Sequence, residues 1–365
     1  MSCVRLRHRF GTSGHDVPNE HVNPLGGAQV GWIYTERCSQ SFVEHEKPGR
    51  RCLPRLPGVE QPVEVTHKRV VEVEQVWLGL AHAGDANGPG LKRSRPAPSV
   101  CCMVQLHEIR SVSRLGGEVR FDLIGAGRRD VVCVPGGNRP IDDLVEFANE
   151  LVARSDVRMV LVQPRGHPGS NLPLGDHTLA DLASDVVAVI GDLGRPPAVV
   201  LGHAFGNRVV RMAATLRPDL VAGVVLCSAG GLAGPTKAFF VSMAFAVDKD
   251  RPMDERIAAF RRAYFEEGSN PMVWWRPGPA ALTKAINAEP VHVWWAGGDC
   301  PMLVVQGELD QASPPSNGEA LERSYPERVT LHTIKGATHT VPIERPAEFA
   351  ELVANWLGTA LSALE

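Results

Sequence analysis

Two polar side chains that follow apolar segments have the chemistry of a general base. Asp310 comes shortly after the apolar stretch 303–305, and His339 comes after a second apolar stretch, 329–334. A carboxylate beside an imidazole accepts a hydrogen bond from one ring nitrogen, fixes the tautomer and leaves the other nitrogen basic. We therefore predict that Asp310 and His339 form a catalytic dyad.

A glycine-flanked turn lies earlier in the chain. Residues 202–206, Gly-His-Ala-Phe-Gly, separate an apolar strand from a helix. This pattern predicts a nucleophile elbow, a sharp turn that projects its central side chain over a sheet, and the order elbow, acid, histidine is that of the triads built on such turns. Ala204 holds the central position. Because a methyl group has no heteroatom, Ala204 cannot attack a substrate.

Backbone N–H groups provide a third element of this chemistry. Gly136, Gly137 and Asn138 follow an early apolar strand. A glycine-rich loop at that point leaves N–H groups free to face an anion. We predict an oxyanion hole formed by the N–H groups of Gly137 and Phe205.

These groups require elements that bring several strand ends together. Apolar strands are predicted over 119–124, 130–134, 157–162, 198–201, 220–227, 302–305 and 329–334. Helices are predicted over 141–153, 178–193, 206–216, 315–323 and 346–361. Thr178 and Asp181 match a capping box at the start of the second of these helices. Continuous apolar strands alternating with helices predict an α/β fold, with a mostly parallel sheet covered by helices on both faces and ligands bound beyond the carboxyl ends of its strands.

Residues 230–299 interrupt this alternation and are predicted to form a helical lid over the sheet end. Helical spacing recurs over 236–246, 254–267 and 280–288, with frequent aromatic side chains. Most of these aromatics are expected in the core of the lid and a minority at a pocket, because ligand sites are mostly apolar. The following residues are predicted to line the pocket besides the dyad and the oxyanion hole: Gly136, Asn138, His203, Ser228, Trp274 and Trp275.

Residues 1–102 differ from the domain predicted over 103–365. Their Pro, Gly, Arg and Cys residues are scattered without a period, which predicts a mostly disordered extension. An alternative is that the natural start is Met103.

Composition and charge limit the classes of partner. The net charge is −3, and no apolar run has the length of a membrane span or of a signal peptide. No paired C-x-x-C spacing indicates a zinc site, and neither a metal nor a cofactor is expected. We predict a cytoplasmic protein whose partner is a small apolar molecule rather than nucleic acid or a membrane.

Residues 130–365 resemble the lid-bearing α/β-hydrolase family, and are most similar to its uncharacterised actinobacterial-type members. The resemblance rests on the segments 135–137, 164–170, 202–206, 307–310 and 336–339. It implies ester, lactone, C–C, epoxide or halide chemistry on small apolar substrates. Three positions depart from the family. Ala204 replaces Ser, Asp or Cys, Pro135 stands where His is common, and Gln163 stands where Asp is common, but only the first departure directly affects covalent catalysis.

Several interpretations of Ala204 remain open. In the first, His339 removes a proton from water or from an acidic substrate, as cofactor-free members of the superfamily do. In the second, the protein is a pseudoenzyme that binds a small apolar ligand. In the third, Cys227 or Ser228 at a neighbouring strand end replaces the nucleophile, or the alanine is an engineered change. A scaffold role, marked by an exposed apolar patch on the lid, is a further alternative.

Overall fold

A computed structural model describes residues 107–172, 177–269 and 289–361. Three sequence predictions lie outside these residues: the N-terminal extension 1–102, the helix 280–288, and the pocket positions Trp274 and Trp275. In the described part of the chain, no helix is long and apolar enough to cross a membrane.

The core of the fold is an eight-stranded sheet with the order β1-β2-β4-β3-β5-β6-β7-β8. Its strands are β1 (His107–Arg114), β2 (Gly117–Ile124), β3 (Arg129–Val134), β4 (Val157–Val162), β5 (Ala198–His203), β6 (Val221–Cys227), β7 (Met302–Gly307) and β8 (Val329–Ile334). The strands from β4 to β8 in this order are parallel, whereas β2 is antiparallel to both β1 and β4. The predicted mostly parallel sheet is confirmed.

Helices cover both faces of the sheet. They are α1 (Val145–Arg154), α2 (Leu179–Leu193), α3 (Gly206–Leu216), α4 (Lys237–Val247), α5 (Met253–Tyr264), α6 (Val291–Trp294), α7 (Ser316–Ser324), α8 (Val341–Glu344) and α9 (Pro346–Ala360). The helix α2 begins with the predicted capping box, in which Thr178 and Asp181 bond reciprocally to each other's backbone N–H groups.

The central strands β3, β5, β6 and β7 are mainly apolar because side chains on both of their faces are buried. Val132 belongs to the core cluster that contains α2 and α3 side chains, whereas Val131 and Cys133 belong to the cluster under α1 and α9. On that second face Phe147 of α1 stacks on Phe349 of α9, with ring centroids 4.5 Å apart. Each fully buried large apolar side chain contributes about 1.5–3 kcal/mol relative to exposure.

The sheet order determines where polar groups can meet. The strands β3, β5, β6, β7 and β8 are consecutive neighbours and run in parallel. Their carboxyl ends therefore lie along one edge, and the loops that follow them carry Gly137, Ala204, Ser228, Asp310 and His339. The segment between β6 and β7, residues 228–301, contains α4, α5 and α6 and is called the β6–β7 insertion below.

Candidate active site

Ala204 lies in a sharp turn between β5 and α3. Its φ of 51° is in the left-handed region, which non-glycine residues rarely adopt. A Cβ at Gly202 would lie 2.5 Å from the backbone of Gly206, and a Cβ at Gly206 would lie 2.3 Å from the carbonyl oxygen of Val134. The two glycines therefore allow the strand, the helix and the end of β3 to approach closely, while the Ala204 methyl lies at the cavity described below.

Asp310 and His339 are in direct contact. The Nδ1 atom of His339 lies 2.9 Å from Oδ2 and 3.0 Å from Oδ1 of Asp310, and both residues are buried. Asp310 Oδ1 also accepts hydrogen bonds from the N–H groups of Ala312 (2.9 Å) and Ser313 (2.7 Å). These donors hold the carboxylate in place. Because the carboxylate oxygens accept a hydrogen bond from Nδ1 of His339, the proton is assigned to Nδ1 and Nε2 is left as the nitrogen that can accept one.

The backbone of His339 is fixed by two side chains from neighbouring strand ends. His203 Nε2 donates to the carbonyl oxygen of His339 over 2.9 Å, and Ser228 Oγ donates to the same oxygen over 2.8 Å. Burial, followed by the neighbouring His339, lowers the pKa of His203 to about 3. His203 is therefore neutral at ordinary pH. His203 and Ser228 were predicted to line the pocket, but they are buried behind its wall and support the catalytic histidine candidate from there.

A cavity of about 260 Å³ opens beside Ala204 and His339. Its wall combines the glycine loop, the elbow, the first turn of α3, the β6–β7 insertion and the loop after Asp310. The lining residues besides Ala204 and His339 are Gly136, Gly137, Phe205, Arg208, Gly230, Pro235, Phe239, Tyr264, Ala312 and Ser313. Of the predicted pocket residues in the described part, Gly136 lines this cavity and Asn138 does not.

The two predicted oxyanion-hole residues are neighbours at this cavity. A Cβ built on Gly137 would lie 3.3 Å from the Cβ of Phe205. The N–H of Phe205 precedes the first turn of α3, so that no carbonyl group of that helix is available to it. Asn138 follows with a φ of 59°, which gives the glycine loop its tight turn.

Tyr264, the last residue of α5, connects the β6–β7 insertion to the histidine loop. Its ring centroid lies 5.5 Å from that of His339 and 5.3 Å from that of Phe239, the latter edge-on. Burial raises the pKa of the Tyr264 phenol to about 12. The backbone oxygen of Tyr264 accepts hydrogen bonds from the hydroxyls of Thr338 (2.7 Å) and Thr340 (2.9 Å), which flank His339. Tyr264 is not among the site residues predicted from the sequence, where its signal was the aromatic content of residues 230–299.

Cys227 does not face the cavity. It belongs to the core cluster under α1 and α9, is fully buried, and burial raises the pKa of its thiol. A buried thiol with a raised pKa supplies little thiolate. The arrangement therefore gives no support to Cys227 as a substitute nucleophile. In the described residues, no cluster of three or more His, Cys, Asp or Glu side chains is arranged to hold a metal ion.

Comparisons with known proteins agree with this architecture. An uncharacterised hydrolase of Bacillus subtilis is 25% identical over 260 residues, which cover 63% of this chain and 90% of the relative. An sn-1-specific diacylglycerol lipase of Mus musculus is 21% identical over 58% of this chain and 75% of its own. An esterase structure from Rhodococcus sp. matches with a TM-score of 0.57 and 22% identity, covering 71% of this chain and 100% of that one. The model of the alpha/beta hydrolase family matches residues 131–352. The chain therefore belongs to the alpha/beta hydrolase family.

Proposed function

We propose that the protein is a cofactor-free hydrolase, or a related enzyme, in which His339 acts as a general base on a small and mainly apolar substrate. The observation that supports this most directly is the contact of 2.9 Å between His339 Nδ1 and Asp310 Oδ2 at the wall of a cavity. Asp310 orients the ring and stabilises the imidazolium that forms when Nε2 takes a proton.

A water molecule is the proposed nucleophile, because Ala204 has no attacking atom. His339 Nε2 removes a proton from this water as its oxygen bonds to the substrate carbonyl carbon. The resulting oxyanion is stabilised by the N–H groups of Gly137 and Phe205. When the intermediate collapses, the bond to the leaving oxygen breaks and the imidazolium returns the proton to it. General-base catalysis typically contributes about 10²–10⁴-fold and one oxyanion donor about 10²–10³-fold.

The relatives support this class of reaction. One is named a hydrolase, one a diacylglycerol lipase and one an esterase, and all three names describe cleavage of a bond by water or of an ester. The estimated contributions suffice for an activated ester or a lactone and are small for an amide. The same base also suits proton abstraction from a carbon acid, for which a nucleophile at position 204 is unnecessary.

A pseudoenzyme that binds a small apolar ligand is the second candidate, and Ala204 is the observation that favours it. The two candidates differ in whether His339 is needed for turnover of any substrate. A pure binding protein would take a ligand into the cavity without changing it.

The test is a panel of p-nitrophenyl esters and small lactones at high enzyme concentration. We expect turnover by the wild-type protein that falls at least 100-fold in His339→Ala and is also strongly reduced in Asp310→Asn. His332→Ala is a matched control, because His332 is exposed on β8. Equal rates in wild type and His339→Ala would exclude the dyad mechanism. No turnover by the wild type on any member would favour the pseudoenzyme.

A further inference from the structure

The outward side of α4 is apolar although it is exposed. Seven of the nine large apolar side chains that are exposed in the described part of the chain belong to the β6–β7 insertion: Leu232, Phe240, Val241, Phe245, Val247, Met253 and Val293. Four of these seven lie in α4, whose opposite side is buried through Phe239, Ser242 and Ala246. A helix that is apolar on all sides is ordinarily covered on all sides, and an exposed apolar patch marks an interaction surface.

The outward residues of α4 form one stripe along the helix. Positions 237, 240, 241, 244, 245 and 248 are separated from the first by 3, 4, 7, 8 and 11 residues, which places them on one side of a helix. The residues of this α4 stripe are Lys237, Phe240, Val241, Ala244, Phe245 and Asp248. The stripe therefore begins with a cation, ends with an anion, and is apolar in between.

The α4 stripe is complementary to a second copy of itself. Two α4 helices that pack antiparallel about a two-fold axis bring opposite charges together at both ends and apolar side chains together between them. The facing pairs are Lys237 with Asp248, Phe240 with Phe245, and Val241 with Ala244. The small side chain of Ala244 near the centre allows the helices to approach closely, and the antiparallel arrangement also joins opposite ends of the two helix dipoles.

The charges at the two ends of the α4 stripe favour this pairing. Lys237 is exposed, and no carboxylate in the described part of the chain pairs with it. At the other end, the Arg251 guanidinium lies 3.2 Å from Asp248 and 3.2 Å from Glu255, so that this group of three keeps one net negative charge. Arg251 also covers a face of the Phe245 ring, yet Phe245 remains 38% exposed.

We propose that α4 is the contact surface of a homodimer in which the α4 stripes of two copies pack antiparallel. The interface uses the same patch on both copies, as a two-fold axis requires. A contact through one helix is smaller than the about 800 Å² per partner of a standard interface, so that association is expected to be reversible. The proposal goes beyond the proposed function and does not depend on it.

Dimer formation through α4 would also support a wall of the cavity. Phe239, on the inner side of α4, lines the cavity, and its ring centroid lies 5.8 Å from that of Phe240 in an edge-on arrangement. The helix whose outer side meets the second copy thus supplies a cavity residue from its inner side.

The test is sedimentation velocity of the full chain over a wide range of protein concentration. We expect the wild-type protein to pass from monomer to dimer as the concentration rises. Phe240→Glu and Val241→Lys each place a charge in the apolar part of the stripe and should raise the dimer Kd at least tenfold. Leu115→Glu is the matched control, because Leu115 is an exposed apolar residue in the turn between β1 and β2, and it should leave the Kd unchanged.

Charge reversal tests the antiparallel register. Lys237→Glu should weaken the dimer because two carboxylates then face each other. Lys237→Glu combined with Asp248→Lys should restore association, since the facing pair reappears with its signs exchanged. A double variant that associates no better than Lys237→Glu alone would overturn the antiparallel pairing.

Two further results would overturn the proposal: a wild-type protein that stays monomeric at every concentration, or a dimer whose Kd is unchanged in Phe240→Glu. The first of these decides the matter without any variant, and circular dichroism verifies that each variant is folded. A monomeric wild type that binds phosphatidylcholine vesicles, with binding lost in Phe240→Glu, would assign the α4 stripe to a lipid surface instead.

Discussion

The hydroxyl of Ser228 donates a hydrogen bond of 2.8 Å to the carbonyl oxygen of His339. The bond joins the end of β6 to the loop after β8, across the intervening strand β7. Ser228 adopts a φ of 56°, which is costly for a residue with a side chain. The strained backbone at Ser228 thus places the hydroxyl that holds the backbone of His339, whose imidazole we propose as the base.

Removal of the Ser228 hydroxyl is expected to increase the mobility of His339. We predict that Ser228→Ala lowers the free energy of unfolding by about 1–2 kcal/mol, since one buried hydrogen bond is lost and His203 still donates to the same oxygen. Turnover should fall several-fold. Urea unfolding and initial rates measure the two effects. Ser184→Ala is the matched control, because its hydroxyl bonds only within α2. An unchanged rate in Ser228→Ala would contradict a positioning role.

The buried neutral His203 makes stability depend on pH. Its pKa of about 3 in the folded protein lies below the ordinary value of 6.5, so that the unfolded chain binds more protons between these values. The contribution of neutral His203 to the free energy of unfolding is fully present above about pH 6.5. It decreases as the pH falls towards 3, by an amount on the order of 4 kcal/mol.

The measurement is urea unfolding from pH 7 to pH 4 for wild type and His203→Gln. A glutamine amide can replace the Nε2 donor but does not titrate, and we expect a shallower loss of stability on acidification. His332→Ala should keep the wild-type slope because His332 is exposed. Identical slopes for wild type and His203→Gln would show that His203 does not titrate as described.

Much of the scaffold was predictable because its signals are local. The apolar residues of strands β3 to β8 indicate burial directly in the sequence. The glycines at 202 and 206 indicate that two backbone segments approach closely. The edge strand β1 was missed because Val112 is its only buried residue and the rest of it is polar or half-buried. The antiparallel pairing of β2 was missed because it depends on β1 and β4 rather than on the residues of β2.

The site was harder to predict where it depends on tertiary contacts. The order of Ala204, Asp310 and His339 placed them on one sheet edge, because parallel strands end together. Whether His203 faced the cavity or the core could not be read from spacing, since the backbone reverses its direction at the elbow. The contact of Tyr264 with His339 depends on how the β6–β7 insertion packs on the sheet, and no local pattern encodes that packing.

A serine at the elbow should convert the site into a covalent hydrolase. Ala204 already has the left-handed φ of the turn and lies at the cavity with His339. We predict that Ala204→Ser raises turnover of p-nitrophenyl acetate by about 10²-fold or more, with a burst of acyl-enzyme formation and labelling by a fluorophosphonate. Ala204→Gly is the control for altered backbone freedom. No labelling of a folded Ala204→Ser protein would indicate that His339 cannot reach position 204.

Glu344 joins the β6–β7 insertion to the histidine loop. Its carboxylate accepts hydrogen bonds from the Glu266 N–H (3.0 Å) and from Ser269 Oγ. It also lies within hydrogen-bond distance of the Thr340 hydroxyl (2.7 Å) and the Thr338 hydroxyl (2.9 Å), whose single protons it shares with the carbonyl oxygen of Tyr264. The two threonines flank His339, so that one carboxylate ties both sides of this histidine to the segment that follows α5.

We predict that Glu344→Ala lowers the free energy of unfolding by about 2–3 kcal/mol, because the Glu266 N–H and the Ser269 hydroxyl lose a charged acceptor. Hydrogen exchange should accelerate over residues 253–269, and turnover should fall because His339 loses its support. Glu351→Ala, an exposed substitution on α9, is the control. If exchange in 253–269 matched the wild type while turnover fell, Glu344 would act on the histidine loop alone and would not tie the insertion to it.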